Sequence, residues 1–139
     1  MTDHESRRLV ERFYHDMWNK ADEQVARAIL SPDLDFRGSI GELRQGAEGF
    51  IGYMRKIHAA FGDYHCRIDD LISTADGRAA AQMMFTGIHR GSLWGEAPSG
   101  KPIGWAGAAF FTTGDGRIHR IWVLGDTEGL KRALGVLSS

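Results

Sequence analysis

The hydrophobic positions change period once along this chain, and the change divides it in two. Val10, Phe13, Tyr14 and Met17 recur at i, i+3, i+4 and i+7, with Trp18 beside them, which predicts one apolar face of a helix. Thr2-Asp3-His4-Glu5 ahead of it reads as a capping box. Val25, Ala28 and Ile29 predict a short second helix, ended by Ser31-Pro32 because a residue before proline is pushed out of the α region. Asp33 to Arg37 is expected as a short strand and Gly38-Ser39-Ile40-Gly41 as a turn. Phe50, Met54, Ile57 and Phe61 predict a third helix, closed by Gly62-Asp63.

From Tyr64 onward the period is two. Tyr64, Cys66, Ile68 and Ile72 share one parity, and His65, Arg67 and Asp69 the other. Asp76-Gly77 predicts a hairpin turn, and the next strand places Ala81, Met83, Phe85, Gly87 and His89 on one face. A loop from Gly91 to Pro102 leads to strands from about Ile103 to Thr112 and from Ile118 to Leu124, joined through Gly114-Asp115-Gly116. A last helix from about Thr127 to Leu134 stops at Gly135, where a C′ glycine belongs. Helices segregated from antiparallel strands indicate an α+β fold rather than βαβ winding. No repeat or linker interrupts residues 1–139, so one domain is expected.

Composition narrows the function more by exclusion than by pointing. With 17 Lys and Arg against 18 Asp and Glu there is no basic face for phosphates, so no nucleic-acid partner is expected. Cys66 is the single cysteine and has no partner for a disulfide. No Cys/His spacing resembles a metal site, and no P-loop or dinucleotide fingerprint occurs, so neither metal nor organic cofactor is expected. The first residues carry no basic n-region or apolar h-region, and no stretch reaches the roughly 18 apolar residues of a membrane helix. A cytoplasmic protein without membrane contact is the expectation.

Several short motifs occur in a familiar order. They are Gly87-Ile88-His89-Arg90-Gly91, Ala97-Pro98-Ser99-Gly100-Lys101, Asp115-Gly116-Arg117-Ile118, Trp122-Val123-Leu124-Gly125-Asp126, Gly129-Leu130 and Ala133-Leu134-Gly135. Together with Trp18-Asn19 and Ser31-Pro32-Asp33 they resemble the SnoaL-like polyketide cyclases, or ester cyclases, of the nuclear-transport-factor-2-like (NTF2-like) superfamily, over nearly the whole chain. The resemblance implies a cone, with helices packed on a strongly curved antiparallel sheet around an apolar, ligand-sized pocket. It also implies pairing through the outer sheet face, and an intramolecular aldol closure without cofactor in which an aspartate is the acid/base. That aspartate falls at Asp126. Three positions depart from the pattern: Ser99 replaces a usual threonine, Arg120 a frequent glutamate, and Gly125 a frequent aromatic or histidine. Some members are implicated in hydroxylation instead.

Asp126 shares the parity of Trp122 and Leu124, which would aim it into the cone, where apolar walls push a carboxylate toward acid/base range. The alternative is an N-cap of the last helix. His89, on the face of Met83 and Phe85, could donate to a carbonyl or enolate oxygen, or be a satisfied structural histidine. Tyr14 could bind an oxyanion from the first helix, or be a core tyrosine with its hydroxyl at an edge. Arg37 could hold a carboxylate or ester oxygen, or sit in a surface ion pair. Trp18, Tyr53, Trp105 and Trp122 suit an aromatic wall around a hydrophobic ligand. Ala106, Ala108 and Phe110 with Ile121 and Val123 would form an apolar outer face, hence a homodimer. The leading expectation is acid/base chemistry at a carbon next to a carbonyl: aldol cyclisation, or a related isomerisation or dehydration. The alternatives are a non-catalytic binding module, a hydroxylation-type relative, or an accessory domain.

Overall fold

The computed structural model describes residues 3–135, so the Thr2 cap lies outside the described residues. Helix α1, Asp3–Glu11, passes without a break into a π-helical segment, Arg12–Trp18. Its i→i+5 bonds continue through Asn19 N–H to the Tyr14 carbonyl (2.9 Å) and Asp22 N–H to the Met17 carbonyl (3.0 Å). Phe13, Tyr14, Met17 and Trp18 all lie on its buried side. Helix α2, Glu23–Ile29, starts at Asp22, whose carboxylate accepts from the N–H groups of Gln24 and Val25. It buries Ala26 and Ile29, whereas Ala28 points to solvent.

Strand β1, Leu30–Arg37, begins at the last turn of α2, earlier than Pro32 suggested. A short strand β2, Leu43–Gln45, then pairs back on it. Helix α3, Gly46–Ala60, ends one residue before Phe61, which is extended and opens β3, Phe61–Ser73. Strands β4, Arg78–His89, β5, Pro102–Gly114, and β6, Arg117–Gly125, form a meander, and α4, Thr127–Leu134, closes the chain on Gly135 at φ 85°.

The sheet order is β2-β1-β6-β5-β4-β3. All neighbours are antiparallel except β1 and β6, which run parallel because α3 and the meander carry the chain across to the far edge before it returns. The expected antiparallel sheet is therefore a mixed one, curled without closing. The helices pack on its inner face over a core that includes Phe13, Phe50, Phe61, Trp105 and Phe111.

Two parities differ from the sequence pattern. In β3 the register with β4 shifts between Ile68 and Asp70, so Leu71 turns inward and Ile72 outward, at 62% exposure. In β6 the inner residues are Ile118, Ile121 and Val123, while Trp122 and Leu124 face out. The outer face is still apolar, since Phe110 packs on Trp122 (5.9 Å between centroids) and Ala108 pairs with Leu124. Ile121 and Val123 do not belong to it.

The edge strand β3 is also served by a side chain. Asn19 at the end of the π-helical segment donates through Nδ2 to the Cys66 carbonyl (3.0 Å) and accepts the Cys66 N–H at Oδ1 (2.7 Å). Its amide takes the place of a neighbouring strand and ties the helical layer to the sheet edge.

Candidate active site

The inner wall of the cone is aromatic because three elements aim rings at the same point. The π-helical segment supplies Phe13, Tyr14 and Trp18, α3 supplies Tyr53, and the sheet supplies Phe36, Tyr64 and Phe85; Ser39 and Val123 complete the lining of an internal cavity. Trp18 is its hub, with ring centroids 5.4 Å from Phe50, 6.0 Å from Tyr53 and 5.3 Å from Tyr64. The cavity volume is about 10 Å³. That is about the space one water needs, far less than the ligand-sized pocket expected from the sequence.

No lining residue bears a formal charge at neutral pH. Burial pushes the Tyr14 hydroxyl well above the usual phenol range, with nearby Cys66 and Tyr53 adding to it. Burial does the same to Tyr64 and Tyr53, and to the Cys66 thiol. The phenols are thus neutral hydrogen-bond donors in this setting, not bases. The Tyr14 hydroxyl has no hydrogen-bond partner, nor has that of Tyr53. Ser39 and the Ile40 backbone lie near enough to ease Tyr53 ionisation slightly, but neither makes a bond of acceptable geometry. Two further donors end unpaired on the inner face of the sheet: Trp105 Nε1 and His89 Nε2. Buried polar groups without partners are costly and uncommon.

The residues singled out in the sequence divide into three groups. Tyr14, Trp18, Tyr53 and Phe85 line the cavity. Trp105 and Met83 are buried on the same face just beyond it, Trp105 lying 5.6 Å from Phe85 and 6.1 Å from Tyr64; His89, fully buried, sits further along β4, opposite Phe61. Arg37 and Trp122 point away. They lie side by side on the outer face of the parallel β1–β6 pair, the guanidinium 5.3 Å from the indole centroid, and Arg37 Nη1 donates to the Val123 carbonyl.

Asp126 is exposed, and its Oδ1 accepts the Gly129 N–H (2.9 Å), capping α4. The parity that placed it inside with Trp122 and Leu124 is reversed. Its chain neighbour Gly125 packs against the backbone of Ser39, a cavity-lining residue, so closely that a Cβ there would fall 3.1 Å from the Ser39 carbonyl carbon. Ser39, Phe36 and Tyr64 were not singled out as site residues, although Tyr64 has the inward parity of β3 and Ser39 lies in the turn. Among the described residues, no group of three or more His, Cys, Asp and Glu could hold a metal.

The family model for SnoaL-like polyketide cyclases matches residues 8–134. The chain belongs to this family. The same fold occurs in TsrD from Streptomyces laurentii, 26% identical with a TM-score of 0.86 over 99% of each chain. It occurs also in AclR from Streptomyces galilaeus, a proposed hydroxylase, at 22% identity and a TM-score of 0.84, covering 99% of this chain and 89% of that one. A third is a proposed SnoaL-like polyketide cyclase from Jannaschia sp. CCS1, at 19% identity and a TM-score of 0.87, covering 99% and 96%. A comparison with curated proteins finds no match. Within the SnoaL-like fold of this chain, no helix among the described residues is long and apolar enough to cross a membrane.

Proposed function

We propose that this protein is a cofactor-independent cyclase-type enzyme, acting by acid/base chemistry at a carbon next to a carbonyl in a hydrophobic small molecule. The observation that supports it most is the set of buried, unpaired donors: Tyr14 Oη on an uncharged aromatic wall, with Trp105 Nε1 and His89 Nε2 beyond it on the inner face of the sheet. Such a wall suits the oxygen of a ketone or enolate, and its donors are worth more there than in water. Membership of the SnoaL-like family, and the place of Asp126 at the end of the Trp122–Asp126 motif beside the Ser39 turn, support the choice of base.

In this reading substrate access moves the 38–41 turn away from Gly125, and the apolar ligand takes water from Asp126. The carboxylate removes a proton from the activated carbon while the inner donors hold the enolate oxygen. The enolate carbon then attacks a second carbonyl of the same molecule, and Asp126 returns the proton to the new alkoxide. The product is an isomer of the substrate, or is lighter by one water after dehydration. The protein works in the cytoplasm as a homodimer joined through Phe110, Trp122, Leu124 and Ala108. The test is incubation with an aromatic poly-β-ketone methyl ester, followed by liquid chromatography and mass spectrometry. A new isobaric or dehydrated product, absent with Asp126→Asn, is expected; binding without any product would instead leave a ligand-binding module.

A further inference from the structure

His89 is held by a loop residue that the proposed chemistry has not yet used. The segment Ser99–Lys101 is clamped to His89's own backbone, with His89 N–H donating to the Lys101 carbonyl (3.0 Å) and Gly100 N–H to the His89 carbonyl (2.8 Å). Gly100, at φ 71°, makes the tight turn that allows both bonds. The turn delivers Ser99 to one ring nitrogen. Ser99 N–H donates to His89 Nδ1 (3.3 Å), and Ser99 Oγ lies 3.1 Å from the same atom. The Lys101 N–H donates to Ser99 Oγ (3.4 Å), which leaves the hydroxyl proton for Nδ1.

A backbone N–H can only donate, so Nδ1 must be the accepting, unprotonated nitrogen, and in a neutral imidazole the proton then sits on Nε2. Nε2 is the atom left buried without a partner. Phe61 faces the His89 ring at 6.2 Å and the Trp105 ring at 5.2 Å, so two unpaired N–H donors from adjacent strands flank one aromatic ring.

We propose that Ser99 is a positioning residue that locks His89 as a fixed Nε2–H donor for the carbonyl or enolate oxygen of a bound substrate. Resting on the function proposed above, this fixes which ring nitrogen of His89 carries the donated proton and names the residue that holds it so. The Ser99 backbone N–H and hydroxyl both face Nδ1, and the hydroxyl is the part of the lock that a substitution can remove.

The test is nitrogen-15 NMR of the imidazoles in the full chain at alkaline pH, with His89 assigned by loss of its signals in His89→Gln. The wild type should show Nε2 protonated and Nδ1 not. Ser99→Ala, which keeps the backbone N–H but loses the hydroxyl, should raise the Nδ1–H form about fivefold, the change expected for one neutral hydrogen bond. Ser99→Thr should restore the wild-type pattern. A protonated Nδ1 in the wild type, or an unchanged tautomer in Ser99→Ala, overturns the proposal. Addition of 1-tetralone, a hydrophobic aryl ketone, should move the His89 Nε2–H resonance downfield. If the ketone moves Tyr14 and Trp18 signals but not His89, the donor role is wrong. If it moves none of them at saturation, the proposed function fails while the tautomer lock stands.

Discussion

Gly125→Ala is the sharpest structural test of how the cavity is closed. A methyl at this position would lie 3.1 Å from both the carbonyl carbon and Cβ of Ser39, and nearer still to the carbonyl oxygen. The obstacle is backbone, which cannot rotate aside as a side-chain tip can, so the 38–41 turn or the end of β6 must shift by about 1 Å to reach ordinary contact. Overpacking of this kind costs about 1–3 kcal/mol, and a backbone obstacle belongs in the upper half of that range. Replacing glycine also removes unfolded-state freedom, which offsets about 0.4–1 kcal/mol. The net expectation is a loss of about 1–2.6 kcal/mol, or roughly 3–9 °C in Tm for a domain of this size. Gly104→Ala is the control, since a Cβ there makes only ordinary contacts, 3.5 Å from Thr86 Cγ2 and 3.6 Å from the Phe85 carbonyl oxygen. Urea unfolding followed by far-UV circular dichroism measures both variants. Gly125→Ala as stable as Gly104→Ala would refute the claim that the turn is seated on Gly125.

Other consequences follow from the same contacts. Asp126→Ala should lose about 1 kcal/mol, since it deletes the α4 cap, while Asp126→Asn should change stability by less than about 0.5 kcal/mol and yet lower turnover roughly 10²–10⁴-fold; equal turnover in the Asn variant removes Asp126 from the chemistry. Asn19→Ala strands the N–H and carbonyl of buried Cys66 and should cost about 2–3 kcal/mol by urea unfolding. His58 stacks on Trp18, its Nε2–H donates to the Trp18 carbonyl, and burial lowers its pKa below 6.5 despite that bond. A neutral His58 therefore adds stability above pH 6.5 that is lost as pH falls toward its folded value, and His58→Gln should flatten the acid side of a Tm-against-pH curve. Light scattering at roughly tens of micromolar should give a dimer, and Leu124→Lys a monomer; a wild-type monomer counts against the outer-face interface.

The helical half was legible because its faces are one-sided: Val10, Phe13, Tyr14 and Met17 are all buried as their spacing requires. The sheet was legible in its order of strands but not in which side is inside. In β6 both parities are apolar, Ile121 and Val123 on one and Trp122 and Leu124 on the other, so alternation exists without a polar marker to orient it. The choice of the tryptophan side as interior carried Asp126 inward with it. The bulge at Ile68/Asp70 erased the parity of Ile72 for a different reason, an extra residue that no local composition announces. Phe61 fits a helical spacing and a strand start equally well; pairing with His89 on β4, a tertiary contact, decides it. The parallel β1–β6 pair is also long-range, and β2 is too short for a period to show.

Proton exchange at carbon tests the central claim most directly, because it needs neither the natural substrate nor ring closure. A hydrophobic β-keto ester with a slowly exchanging α-hydrogen, incubated with the protein in deuterated buffer, reports enolate formation by the loss of its α-proton signal. The account predicts exchange well above the buffer rate, reduced at least about 100-fold by Asp126→Asn and more modestly by Tyr14→Phe. Exchange no faster than buffer for every β-keto ester shown to bind, or full exchange in Asp126→Asn, would contradict it.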